Sequence, residues 1–172
     1  MISDSAHTVP NMSDMTLDPT DQTELLRSLA LERISPQWAD FLGLMSEALG
    51  AQLDSGEYRQ LLVGLGEGFA AQNPLPPCAG LNELTEAINA VWRRMQWGYA
   101  AVSDQGALLE VVHRACPLPA ALQLDADIAG GFLEGVYGVW LRAAGAPEEL
   151  ELVQMEGGEW PMYMAFALSG RT

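Results

Sequence analysis

The sequence predicts an α+β domain: N-terminal helices, then two β-hairpins forming an antiparallel sheet, with a glycine-rich helix between the hairpins. Three observations predict it. Apolar residues recur at helical spacing between residues 25 and 96. Two short alternating stretches are each interrupted by a turn signal. A long apolar segment, 127–144, lies between those stretches. Strands grouped into hairpins favour an antiparallel sheet over alternating parallel units. No internal repeat is visible.

The elements follow in order. Residues 1 to about 20 are polar, contain Pro10 and Pro19, and carry Asp4, Asp14 and Asp18 without an arginine. Such a composition buries too little apolar surface to order itself, so a disordered tail is expected. Leu25, Leu26, Leu29 and Leu31, set among Asp21, Glu24, Arg27 and Glu32, make a short amphipathic helix that is marginal on its own. The domain proper is expected over 34–172, with 1–33 as a disordered and partly helical extension.

Ser35-Pro36 reads as a helix start, with serine as cap and proline in the first turn. Trp38, Phe41, Leu42, Met45 and Leu49 form its apolar stripe, and Gly50 weakens its far end. Ser55 reads as the cap of a second helix whose stripe is Tyr58, Leu61, Leu62, Leu65 and Phe69. The run Asn73-Pro74-Leu75-Pro76-Pro77 must end that helix. A third helix is expected from Leu81 to Gln96, burying Leu84, Ile88, Val91, Trp92 and Met95, with Gly98 as its stop.

The first hairpin is read as Tyr99–Ser103, a turn at Asp104-Gln105-Gly106, and a return over Leu108–Arg114. Alternation puts Leu109, Val111 and His113 on one face. Pro117 and Pro119 close the unit. The fourth helix spans roughly Asp127 to Ala144, with Asp125 or Asp127 near its positive end, and Gly145-Ala146-Pro147 stops it. The last hairpin runs from Glu149 to Met155, turns at Gly157-Gly158, and returns from Trp160 to Leu168. Met162, Met164, Phe166 and Leu168 share one face of that final strand.

Composition narrows the function classes. There are 23 acidic residues against 8 basic ones, all arginine, for a formal net charge of -15. A surface this negative repels phosphate backbones and anionic lipid heads, which argues against nucleic acid and against docking on an anionic membrane. No apolar run reaches the length of a membrane span, and the N-terminus has neither the cationic start nor the apolar core of a signal peptide. The cytoplasm is the expected address, with Cys78 and Cys116 as reduced thiols. A body of about 140 residues buries roughly two thirds of its unfolded surface, so no metal or disulfide is needed to hold it.

Seven glycines lie inside predicted helices: Gly64, Gly66 and Gly68 in the second, Gly130, Gly131, Gly135 and Gly138 in the fourth. Each costs up to about 1 kcal/mol relative to alanine. Close backbone approach is the natural offset, because Gly131, Gly135 and Gly138 share one helical face and Gly64 and Gly68 share another. The face can pack within the protomer or against another subunit.

No catalytic set emerges. Gly64-Leu65-Gly66-Glu67-Gly68 superficially resembles a phosphate loop but lies within a helical pattern. His113, Cys116 and Cys78 offer three metal ligands where structural zinc takes four, and His7 sits in the tail. Cys116 paired with His113 lacks a group to orient the histidine. Among the carboxylates Glu134 is the least ordinary, lying between Leu133 and Gly135 on an apolar helix, but no partner carboxylate is singled out. The five tryptophans, Trp38, Trp92, Trp97, Trp140 and Trp160, read as core or interface anchors ahead of sugar platforms. No cofactor or metal is called for, and the protein is not expected to be an enzyme.

Several stretches nonetheless point one way. Pro76-Pro77-Cys78 precedes the third helix, Met95-Gln96-Trp97-Gly98 leads into a hairpin ending Val111-Val112-His113, and Leu133-Glu134-Gly135-Val136-Tyr137-Gly138-Val139-Trp140 is followed by Met162-Tyr163-Met164. Together they resemble the D subunit of bacterial cellulose synthase over residues 35 to 168. That resemblance implies a non-catalytic accessory component that builds cylindrical homo-oligomers, a tetramer of dimers (an octamer), and promotes export of crystalline cellulose. It further implies contact with other synthase subunits, with a proline-rich partner in one model and with nascent glucan chains in another. The glucan-threading model is periplasmic and the scaffold model cytoplasmic. Aromatic and glycine placement select Trp38, Phe41, Gly131, Gly135, Tyr137 and Gly138 as candidate oligomer or partner contacts. The alternative is a small-molecule-binding or sensor domain with an apolar pocket inside the α+β core.

Overall fold

The computed structural model describes residues 18–32, 34–158, 161 and 163–170. The chain runs α1 (Pro19–Glu32), α2 (Pro36–Gly50), α3 (Ser55–Gln72), α4 (Leu81–Met95), β1 (Tyr99–Asp104), β2 (Leu109–Arg114), α5 (Leu118–Leu122), α6 (Ala126–Ala143), β3 (Leu150–Gln154) and β4 (Met164–Gly170). This is the expected α+β arrangement, with helices before and between the strands. Most of the expected N-terminal tail lies outside the described residues, and α1 already begins at Pro19.

Local chemistry sets the boundaries. α2 starts at Ser35-Pro36 as read, although the Ser35 side chain makes no capping bond. α3 is capped by Asp54, one residue before the expected Ser55. The Asp54 carboxylate accepts from the Glu57 N–H at 2.8 Å, and the Glu57 carboxylate accepts from the Asp54 N–H at 3.0 Å. This reciprocal box satisfies two helix-end donors and puts negative charge at the positive end of the helix, more than a serine hydroxyl achieves. Pro117 and Pro119 do not merely close the first hairpin. They open the short helix α5, since proline fits a first helical turn where no N–H is needed. Gly98 sits at φ +80°, and a Cβ there would run into the Arg114 and Ala115 carbonyls. Only glycine makes that sharp entry into β1.

The four strands form one antiparallel sheet in the order β1-β2-β4-β3. The two hairpins join through β2 and β4, with Val111 opposite Phe166 and His113 opposite Met164. One sheet face is buried beneath the helices and carries Ala100, Val111, His113, Leu152, Met164, Phe166 and Leu168. The alternation read from the sequence holds for Leu109, Val111 and His113 and for Met164, Phe166 and Leu168. Trp160 and Met162, expected on the same strand, lie outside the described residues.

The core is built on the contact between α3 and α6. Gly66 of α3 lets the Phe132 carbonyl of α6 approach its Cα, and Gly135 of α6 lets the Val63 carbonyl of α3 do the same. A Cβ at Gly131 would stand 2.8 Å from the Arg59 carbonyl. Both backbones therefore interlock at a distance no side chain allows. Above them Phe69 lies parallel to the Trp92 and Trp97 rings at centroid distances of 5.8 and 6.2 Å, and Phe132 and Trp140 tilt against it. The apolar stripe of α3 divides between inside and outside. Tyr58 and Leu62 are buried, but Leu61 and Leu65 face outward, and the inward positions further along are Gly66 and Ala70. Packing on Phe132 selected the glycine side of the helix over the leucine side.

Gly64, Gly68 and Gly138 behave differently, because a Cβ at each meets no atom of the described residues within 4 Å. Gly135→Ala should therefore lower the melting temperature by about 5 °C or more, as backbone must move to admit the methyl group. Gly68→Ala should raise it by about 2–4 °C through helix propensity alone. Thermal unfolding followed by circular dichroism ranks the two, and the reverse order would contradict this account of the core.

Candidate interaction surface

α2 has two apolar faces. Leu42, Gly43, Ser46 and Leu49 turn toward the body, where α2 rests on α5 and α3. Ser46 accepts a hydrogen bond from the Tyr58 hydroxyl at 2.9 Å, and the missing Cβ of Gly43 leaves room for the Gln123 side chain. The second face points to solvent. Trp38 is 60% exposed, Phe41 55% and Leu44 67%, with Met45 also exposed. Trp38 and Phe41 pack edge to face at 5.9 Å. Of the apolar stripe read from the sequence, Leu42 and Leu49 turn inward and Trp38, Phe41 and Met45 stay exposed.

α3 repeats the pattern. Leu61 and Leu65 are exposed, and Gly64 and Gly68 lie one turn apart beside them with open space above. Those two glycines weaken the helix, and among the described residues nothing fills the space beside them. α1 also exposes Leu25, Leu29 and Leu31. Three helices thus show large apolar side chains to solvent.

The other residues selected from the sequence sit elsewhere. Gly131 and Gly135 meet α3 of the same chain, Tyr137 is completely enclosed, and Gly138 is half-buried beside open space. The structure brings Trp38 and Phe41 together and places Tyr137 within the core. Sequence reasoning missed Leu44, the most exposed of the α2 group. Its position three residues after Phe41 was the available signal.

Tyr137 belongs to a buried polar chain. The Trp92 indole N–H donates to the Tyr137 oxygen at 3.1 Å. His113 Nε2 lies 2.7 Å from the Trp97 carbonyl, which can only accept, so that nitrogen carries the proton. Nδ1 therefore accepts from the Tyr137 hydroxyl. Each group in the chain is satisfied with a neutral imidazole. Burial lowers the His113 pKa to about 4, partly opposed by the bond to Trp97. Burial likewise raises the Tyr137 hydroxyl well above the usual tyrosine range. It pushes the Cys116 thiol up to about 12, so this thiol is no nucleophile at neutral pH. Cys78 donates to the Pro76 carbonyl at 3.1 Å. Among the described residues, no three His, Cys, Asp or Glu gather as metal ligands.

Glu134, the singular carboxylate of the sequence, is clamped. Its two oxygens take the Arg59 guanidinium fork at 3.0 and 2.7 Å, and one also accepts from the Gln154 N–H at 2.9 Å. Arg59 is raised above its ordinary pKa, chiefly by the Glu134 hydrogen bond, with desolvation opposing. The carboxylate ties α6 to α3 and to β3. The glycine run 64–68 lies wholly inside α3, not in a strand-to-helix turn.

His113 gives a pH dependence. Its native pKa of about 4 lies below the ordinary 6.5, so the unfolded chain binds the proton more readily. Stability from the neutral imidazole is complete above pH 6.5 and is lost as pH falls to about 4. At about 1.4 kcal/mol per pH unit the loss reaches about 3 kcal/mol. An NMR titration should find the His113 ring neutral down to about pH 5, and a normal imidazole titration there would refute the arrangement.

A family model describing the D subunit of cellulose synthase matches residues 24–165 of the chain. None of the curated proteins compared with it matches.

Proposed function

Because the chain belongs to the family of cellulose synthase D subunits, we propose that it is a non-catalytic accessory component of a cellulose synthase complex, assembling with copies of itself into a scaffold. The carrying observation is the outward apolar face of α2, with Trp38, Phe41, Leu44 and Met45 exposed in the lone protomer. Burying such side chains stabilises a contact by about 1.5–3 kcal/mol each. A net charge of -15 makes copies repel at long range, so association has to come from short-range apolar contact. Gly64 and Gly68 on α3 add a smooth stripe where a second helix can approach closely.

The action is geometric. A closed homo-oligomer, an octamer of four dimers in this reading, fixes the spacing of export sites so that neighbouring glucan chains emerge close enough to crystallise. The scaffold is cytoplasmic and contacts other synthase subunits, a proline-rich partner among them. No helix of the described residues is long and apolar enough to cross a membrane, which suits a component held to the complex by protein contacts.

Two measurements test this reading. Light scattering should give a mass of several protomers for the native chain, and Trp38→Glu with Phe41→Glu should reduce it while the circular dichroism spectrum of the folded protomer is kept, because both side chains are exposed there. An unchanged mass would remove α2 as the assembly face. In a cellulose-producing cell lacking its own D subunit, the native gene should restore crystalline cellulose, seen by fibre diffraction, and the double variant should not. Equal restoration would defeat the scaffold mechanism.

A further inference from the structure

The order β1-β2-β4-β3 leaves β1 and β3 as the sheet edges. An edge strand offers a row of N–H and C=O groups to any other extended chain. In an antiparallel pair, alternate residues bond the neighbour and the rest point away. On β1 the Ala100 N–H donates to Asn89 Oδ1 at 2.8 Å, and Asn89 Nδ2 donates to the Ala100 carbonyl at 2.7 Å. The Asn89 amide, carried by α4, thus makes both bonds that a paired strand would make. On β3 the Met155 N–H bonds the Ala165 carbonyl, so Gln154 is the residue that points away. Its N–H donates to Glu134 of α6. Glu134 is fixed by Arg59, whose Nε donates to the Asp127 carbonyl at 3.1 Å. The Gln154 amide is in turn anchored on the Ala126 carbonyl at 3.2 Å.

We propose that Asn89 and Glu134 close the two edges of the sheet to strand pairing between chains, which confines self-association to the helical faces. Each plug stands at one end of its edge. Alternation leaves only Val102 and Asp104 pointing away on β1, and Leu150 and Leu152 on β3, where the Leu150 N–H already donates to the Pro147 carbonyl at 3.2 Å. Two outward residues are fewer than an ordinary strand offers a partner. The device matters for a protein that works as many copies at close quarters, where one open edge would convert a closed assembly into an open-ended one. Both plugs come from side chains on helices already fixed in the core, so closure needs no moving part.

The test uses the full chain with Trp38→Glu as background, so that it does not depend on α2 being the assembly face. Asn89→Ala opens the β1 edge, Glu134→Ala opens the β3 edge, and Leu62→Ala weakens the core with both edges intact. Each is held equally far below its own melting temperature. Light scattering follows mass, and infrared spectroscopy follows the intermolecular strand band. The edge variants should at least about double in mass and gain that band, while Leu62→Ala stays at its starting size. Either edge variant suffices if the other does not fold. Growth in neither, or equal growth in Leu62→Ala, overturns the proposal.

Discussion

The structure hangs on the backbone-to-backbone contact of α3 with α6. Gly66 and Gly135 let each helix place a carbonyl where the other would have a side chain. Close approach brings the Phe69 ring of α3 among Trp92, Phe132 and Trp140. It also sets Arg59 of α3 within reach of Glu134 of α6, and the clamped carboxylate then reaches β3. The same few glycines therefore govern the aromatic core, the part-buried ion pair and one sheet edge. The helix-propensity cost of the inward glycines, up to about 1 kcal/mol each, is offset by packing that alanine could not achieve.

That contact also decides what remains outside. With the Gly66 side of α3 turned inward, Leu61 and Leu65 have no place in the protomer. α2 lies across α5 and α3 through Leu42, Gly43, Ser46 and Leu49 and keeps Trp38, Phe41 and Leu44 in solvent. A net charge of -15 counters indiscriminate clumping through these side chains, since like-charged copies repel. The buried chain of Trp92, Tyr137 and His113 contributes rigidity in place of chemistry: every donor and acceptor in it is spent. The proposed scaffold would benefit from such stiffness, because spacing errors within each protomer add up around an assembly.

The sheet supplies the complementary restriction. Its inner face is covered by the helices, and a helix side chain occupies one position on each of its edges. On the edge-closure proposal, association through strands is disfavoured where association through helices is left open. Specificity of assembly arises as much from surfaces that are closed as from those that are apolar.

Much of this was legible in the sequence. Two hairpins around Asp104-Gln105-Gly106 and Gly157-Gly158, the helix start at Ser35-Pro36 and the proline stop after α3 rest on local rules, because turns, caps and proline act on neighbours in the chain. So do the face shared by Val111 and His113 and that shared by Met164 and Phe166. Periodicity likewise found the stripes of α2 and α3. It could not say which stripe packs inward, because Leu61 and Leu62 carry the same apolar signal at adjacent positions. Only the tertiary structure separated Gly66 and Gly135, pressed against carbonyls, from Gly64 and Gly68, open to solvent. Only it took Tyr137 into the core, left Trp38 outside, and aimed Asn89 and Glu134 at the sheet edges. Local sequence fixes backbone conformation within a few residues, whereas burial depends on which distant surface arrives. That surface is chosen by the close approach of α3 and α6, a relation between segments some seventy residues apart.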